Sequence, residues 1–346
     1  MKKIRILSID GGGIRGIIPG TILMQLEKIL QKMDNNSSCK LGDYFDMIAG
    51  TSTGGILSCL YLVPGENGKA RYSAQEALDL YLKKGHVIFD RPLIDKITSA
   101  GGIIHERYSG GPLYGLLKHY FGEETLDNFI KPSLITSYEI TDRNAIFFTS
   151  TDARDNALYN FKVRDVARAT SAAPTYFPPA HIESVSGQSF TLVDGGMYAN
   201  NPALCAYAEA RKIEFSKFLN DPEKTDKPSA KDMIILSLGT GSVKKKYSYK
   251  HFEHAGEIEW LEPVIDILMS GNSETVSYQL TQMFLTLDKD NQDNYYRLEP
   301  GLKEACSEMD IATPENISNL YQAGLTYVHD NYTKLEKIAR VLLQNQ

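Results

Sequence analysis

The stretch Phe45–Pro64, FDMIAGTSTGGILSCLYLVP, carries the reading of the fold. A short, mostly apolar run from Phe45 to Ala49 ends at Gly50. Small and polar residues follow (Gly50-Thr51-Ser52-Thr53-Gly54-Gly55), then an apolar segment from Ile56 to Val63 closed by Pro64. From Met47 to Gly65, 19 residues carry no charge, a length that allows a membrane span. The small and polar centre argues against one. The stretch reads instead as a strand, a tight turn and a buried helix, in a soluble protein.

The same pattern repeats outward from it. Lys3–Ile9 predicts a strand ending at Asp10, and Gly11–Gly13 breaks it. Ile18, Ile22, Leu26, Ile29 and Met33 recur at three to four residues, one face of a helix over Ile17–Met33. Ala74–Lys84, Leu113–Tyr120 and Val163–Ala172 read as helices. Ser133–Ile140 and Ala145–Thr149 read as strands joined by Asp142-Arg143-Asn144. Phe190–Val193 is a strand stopped by Asp194-Gly195-Gly196, Pro202 opens a helix, and Met233–Leu238 runs into Gly239-Thr240-Gly241. Strands alternating with helices predict a mostly parallel sheet with helices on both faces. Asn220–Lys231 is a polar surface loop, so one α/β domain over residues 1–346 is expected. In such sheets ligands bind beyond the carboxyl ends of the strands. Four of those ends carry glycine-rich turns, after Ile9, Ala49, Val193 and Leu238.

Composition narrows the function classes. The chain has 346 residues, with 37 Lys+Arg against 43 Asp+Glu, a net charge of −6 that argues against a nucleic-acid-binding surface. Cys39, Cys59, Cys205 and Cys306 lie far apart with no C-x-x-C pair, which fits a reducing compartment and neither a disulfide framework nor a zinc site. The run behind Met1-Lys2-Lys3 is broken by Arg5 and ends at Asp10, so no signal peptide is read and a cytoplasmic location is expected.

Gly50-Thr51-Ser52-Thr53-Gly54 is G-x-S-x-G between a strand and a helix. In a nucleophile elbow the turn is so sharp that the residues two before and two after the serine, Gly50 and Gly54, must lack side chains. The plain alternative is an ordinary βα turn. Asp10–Gly16, DGGGIRG, contains G-x-G-x-x-G and raises a dinucleotide site and an oxidoreductase. That reading needs a second strand ending in an acidic residue about 20 positions on. Leu26–Met33 is helical in period, and Asp34 opens a polar loop. The other reading aims the Gly11–Gly13 amides at a developing oxyanion. Asp194 ends a strand, so its carboxylate can face the same rim as Ser52, although turn aspartates commonly cap their own backbone. Of the histidines behind it, His251 and His254 fall in a charged stretch and His329 in a helical pattern. None follows a strand end, and no His-rich ligand cluster is present.

Taken together, DGGGIRG (10–16), GTSTG (50–54), SAAPTYFPP (171–179) and DGG (194–196) stand in the order and spacing of the patatin-like phospholipases. LSLGTG (236–241) is similar to the family's as well. The resemblance covers roughly residues 3 to 300, leaving a C-terminal helical extension over about 301–346 unmatched. It implies a Ser–Asp dyad without histidine: Ser52 as nucleophile, Asp194 as base, and Gly11, Gly12 and Gly13 as oxyanion donors. Arg15 sits at the family's basic position. It also implies a lipid acyl hydrolase acting on phospholipids or related glycerolipids in a membrane or micelle. A patatin-like storage or scaffolding protein with an unused dyad is the alternative.

No cofactor and no metal are expected, and no D-x-[DN]-x-[DN]-G calcium loop occurs. Whether a protein or small-molecule activator is required is not written in any motif. Lys244-Lys245-Lys246 with Tyr247 and Tyr249 reads as a solvated loop, with contact to lipid headgroups as the alternative. Leu335, Ile338 and Leu342 give the last helix an apolar face, expected to dock on the protein itself.

Overall fold

The computed structural model describes residues 1–89, 107–242 and 246–346. The strands are β1 (Ile4–Ile9), β2 (Met47–Thr51), β3 (Ser133–Glu139), β4 (Asn144–Thr149), β5 (Ala180–Glu183), β6 (Ser189–Asp194), β7 (Met233–Leu238) and β8 (Tyr295–Leu298). The helices of eight or more residues are α1 (Ile17–Asp34), α2 (Thr53–Leu62), α3 (Ala74–Ile88), α4 (Gly110–Phe121), α5 (Val163–Thr170), α6 (Ala203–Ala210), α7 (Glu257–Leu285), α8 (Pro314–Asp330) and α9 (Tyr332–Leu343).

The strands form one sheet in the order β5-β6-β3-β2-β1-β7-β8, with β4 alongside β3. β3, β2, β1, β7 and β8 are parallel, as the alternation of strands and helices predicts; β4, β5 and β6 add an antiparallel wing. Every residue of β1, β2 and β7 is buried, so these strands carry apolar side chains to both faces. Leu7, Ile9 and Ile48 join the core under α1, α2 and α3, whereas Ile4, Ile6, Met47 and Ala49 join a second core under α6 and α7. The result is three layers.

The antiparallel wing is what positions the site. β3 changes neighbour along one edge. Thr136 pairs with Thr51 of the parallel β2, and the next residue, Ser137, pairs with Asp194 of the antiparallel β6. The carboxyl ends of β2 and β6 therefore meet from opposite directions on two successive residues of β3. Ser52 and Asp194 share a rim because the strands run head to head, not because they run side by side.

Residues 314–343 are integral to the first core. α8 and α9 pack on α1, and Leu335, Ile338 and Leu342 are fully buried there. Lys3 N–H donates to Asn345 Oδ1 (3.0 Å), tying the chain's last residues to its first strand. The last helix thus docks on the protein itself, as its apolar face predicts. Lys244 and Lys245 lie outside the described residues.

Candidate active site

Ser52 stands at φ 55° and ψ −122°, in the positive-φ region that side-chain-bearing residues seldom occupy, between β2 and the first turn of α2. The flanking glycines are forced by backbone. A Cβ on Gly50 would lie 2.2 Å from the Gly54 carbonyl oxygen, and one on Gly54 would lie 2.1 Å from that of Ile9. Neither oxygen can swing aside as a side chain could. The Ser52 N–H donates to Thr170 Oγ1 (2.9 Å), which ties the elbow to the end of α5.

Ser52 and Asp194 are only 7% and 5% exposed, and the two side chains line one cleft. Gly196 N–H donates to Asp194 Oδ1 at 2.7 Å. Burial pushes the Asp194 carboxyl up to about 7, against the opposing pull of the Ser52 side chain and the Gly196 hydrogen bond. Among the described residues no histidine lines the cleft over this pair, and no group of three or more His, Cys, Asp and Glu is arranged to hold a metal.

The glycine loop divides its donors. Gly11 N–H is spent on the Asn200 carbonyl (3.1 Å), so its expected place among the oxyanion donors is corrected: it fixes the loop. The amides of Gly12 and Gly13 have no hydrogen-bond partner among the described residues. Ile14 N–H donates to the Met309 carbonyl (2.9 Å), and Thr240 Oγ1 donates to the Gly11 carbonyl (2.7 Å). Gly13 has φ 58°, and a Cβ there would meet the Met309 carbonyl oxygen at 2.2 Å. Arg15 is half-buried behind the loop, reaching the Gly12 and Gly241 carbonyls at 3.4 and 3.5 Å, and burial pushes its guanidinium pKa down. It faces a polar cavity of about 600 Å³, not the cleft. The dinucleotide alternative lacks its acidic strand end, since Asp34 closes α1 and β2 runs into the elbow.

A further group was not foreseen in the sequence. Arg297 of β8 forks onto Asp10, Nη1 to Oδ1 at 2.9 Å and Nη2 to Oδ2 at 2.7 Å. Ser273 of α7 donates to Asp10 Oδ2 (3.2 Å) and accepts from Asn200 Nδ2 (3.1 Å). The residue before the glycine loop and the segment after Asp194 are thus held in one network. The fork geometry that makes arginine suit a carboxylate gives no sign in four residues of sequence.

Over Ser52 lies an apolar cleft whose walls include Ile56, Leu113, Phe177, Met197, Ile265 and Met269. A serine at a positive-φ strand–turn–helix elbow and a buried carboxylate on the same rim thus stand in a three-layer α/β fold. The chain belongs to the patatin-like phospholipase family, whose profile matches residues 7–207. It is 36% identical over 340 residues to patatin-like protein 1 of Arabidopsis thaliana, covering 93% of this chain and 80% of that one. It is 34% identical to patatin group J-1 of Solanum tuberosum, covering 96% and 86%. Among solved structures VipD from Legionella pneumophila overlaps 95% of this chain and 67% of its own at 14% identity and a TM-score of 0.37, too loose a likeness to bear on function. At the level of the family the chain is a lipid acyl hydrolase.

Proposed function

We propose that the protein hydrolyses fatty-acyl esters of phospholipids or related glycerolipids through Ser52 and Asp194. The Ser52 elbow and the buried Asp194 carboxylate on one cleft, beside two amides without a partner among the described residues, carry this reading. Ser52 Oγ attacks the ester carbonyl carbon while its proton passes to Asp194. The oxyanion that forms is received by the Gly12 and Gly13 N–H groups, and the loss of one such donor typically costs about 10²–10³ in rate. Collapse breaks the bond to the leaving alkoxide, which takes the proton from Asp194 and departs. Water, deprotonated by Asp194, then attacks the acyl-enzyme carbonyl, and the fatty acid leaves as Ser52 regains its proton. A carboxylate of ordinary pKa is a weak base for a hydroxyl, and a value near 7 brings it toward the working pH.

The two cavities support a glycerolipid over a simple ester. The cleft is apolar, the cavity brings charged side chains such as Arg15, Asp10 and Glu299 together, and Met269 and Met309 belong to both. An ester carbonyl at Ser52 then has space for an acyl chain on one side and a polar portion on the other. The proposed route passes no step through a metal, so turnover is expected to survive EDTA dialysis. The deciding experiment is mass spectrometry after a fluorophosphonate, beside Ser52→Ala and Asp194→Asn. A single adduct on Ser52, absent in the first variant and slowed in the second, is expected. An unmodified wild-type chain that still cleaves a soluble ester would remove Ser52 as the nucleophile.

A further inference from the structure

α7 carries apolar side chains on two opposite sides. Val276, Leu280 and Phe284 are buried in the second core, and Ile265 and Met269 line the cleft over Ser52. Trp260, Val264, Ile267 and Leu268 fall within about 100° of arc facing away from the cleft, with Ile267 at the edge that borders the cavity around Arg15. They are 36%, 43%, 46% and 45% exposed, and Tyr278 and Leu285 continue the line at 66% and 56%. An ordinary surface helix places polar residues there. Trp260 is held at the head of the row against Phe252, with ring centroids 4.7 Å apart.

We propose that this outer row of α7 is the surface on which the protein rests on a lipid aggregate of zwitterionic or uncharged headgroups. The proposal rests on the acyl-hydrolase reading above. Continuity with the cleft is the first argument: Val264 and Leu268 alternate along the helix with Ile265 and Met269. A lipid lying against the row is one helix diameter, about 10 Å, from the cleft that would receive its chain. Charge is the second. Residues 257–285 contain five acidic residues and no Lys, Arg or His. The row itself carries no cation that would draw anionic lipid, and the helix's net negative charge acts within about a Debye length against anionic lipid and against a second copy, which favours an uncharged interface as the occupant. A tryptophan among aliphatic residues suits the boundary between headgroups and chains.

Trp260 is the only tryptophan in the chain, so intrinsic tryptophan fluorescence reports on this surface alone. The Ser52→Ala chain, which leaves vesicles intact, is titrated with phosphatidylcholine vesicles and with vesicles that also contain phosphatidylglycerol. The expected result is a blue shift with phosphatidylcholine that weakens as phosphatidylglycerol is added. Adding Val264→Asp and Leu268→Asp should weaken vesicle binding by about tenfold or more. The same pair of substitutions in the wild-type background should leave fluorophosphonate labelling and turnover of a soluble short-chain ester unchanged, which also shows that the variant folds. Vesicle flotation with an unmoved tryptophan spectrum, or no flotation at all, overturns the proposal. So does a blue shift that follows protein concentration together with a doubled mass, which assigns the row to a second copy. Absence of both labelling and soluble-ester turnover in the wild type would instead overturn the hydrolase reading.

Discussion

Asp194 is a residue whose one physical peculiarity acts on activity and on stability with opposite signs. Burial pushes its carboxyl up to about 7 from an ordinary 3.8. Below pH 7 it holds a proton in the folded protein and cannot accept that of Ser52, so kcat/KM for a soluble ester is expected to rise with pH through about 7. For stability, the folded state binds the proton more tightly than the unfolded chain. The contribution is fully present below pH 4 and is lost as pH rises through 7. Roughly three units at 1.36 kcal/mol each set an upper bound of about 4 kcal/mol. Asp194→Asn keeps an acceptor for the Gly196 N–H and removes the charge. It should abolish most turnover yet stabilise the fold by about 2–4 kcal/mol at pH 8, with no gain at pH 4, as read by urea unfolding at both. The glycine spacing around Ser52 is legible in sequence because it encodes a steric requirement of the turn itself. That Gly11 is not a free donor is illegible, because its partner is a carbonyl at residue 200.

At the scale of elements, β8 and α7 hold what the motifs leave unsupported. Arg297 fixes Asp10 from two directions, and lysine in its place keeps the charge but loses the fork. Arg297→Lys is expected to slow fluorophosphonate labelling of Ser52 by about 10- to 100-fold. The pH midpoint set by Asp194 should not move, which separates misplacement of the loop from damage to the base. Sequence patterns find β1, β2, β7, α1 and α2 because each is an apolar run or a one-sided stripe bounded by glycine or proline. α7 escapes them because it is apolar on two sides and holds Pro263 within it. β8 is four residues long, and its Arg297 reads as a surface residue until Asp10 is seen opposite. The head-to-head meeting of β2 and β6 is a non-local pairing that neither strand announces.

Across the whole molecule, stability depends on a buried ionic cluster that joins distant parts of the chain. Asp46 accepts from Arg5 Nη2 (2.8 Å) and from Lys224 Nζ (2.8 Å), and all three side chains are buried. Burial pushes the Asp46 carboxyl up, but the two cations outweigh it and hold the pKa below its usual value. Arg5 also reaches the Leu342 carbonyl (3.4 Å) and Lys224 that of Asn345 (2.6 Å), so the cluster closes over the C-terminal turn. Asp46→Ala leaves two buried cations without an anion and should cost about 3–5 kcal/mol in urea unfolding. The protein that remains folded should label at Ser52 normally, since none of the three faces the cleft.

The glycine loop is completed by Asn200, Arg297 and Met309, although it lies near residue 12. Translation delivers the nucleophile, its base and the loop long before it delivers the residues that hold the loop in shape. Chains stalled on ribosomes before Tyr295 should therefore take no fluorophosphonate, whereas released chains should. The order of synthesis would thus keep the proposed acyl-hydrolase site unassembled until the segment from Tyr295 to Met309 has emerged from the ribosome.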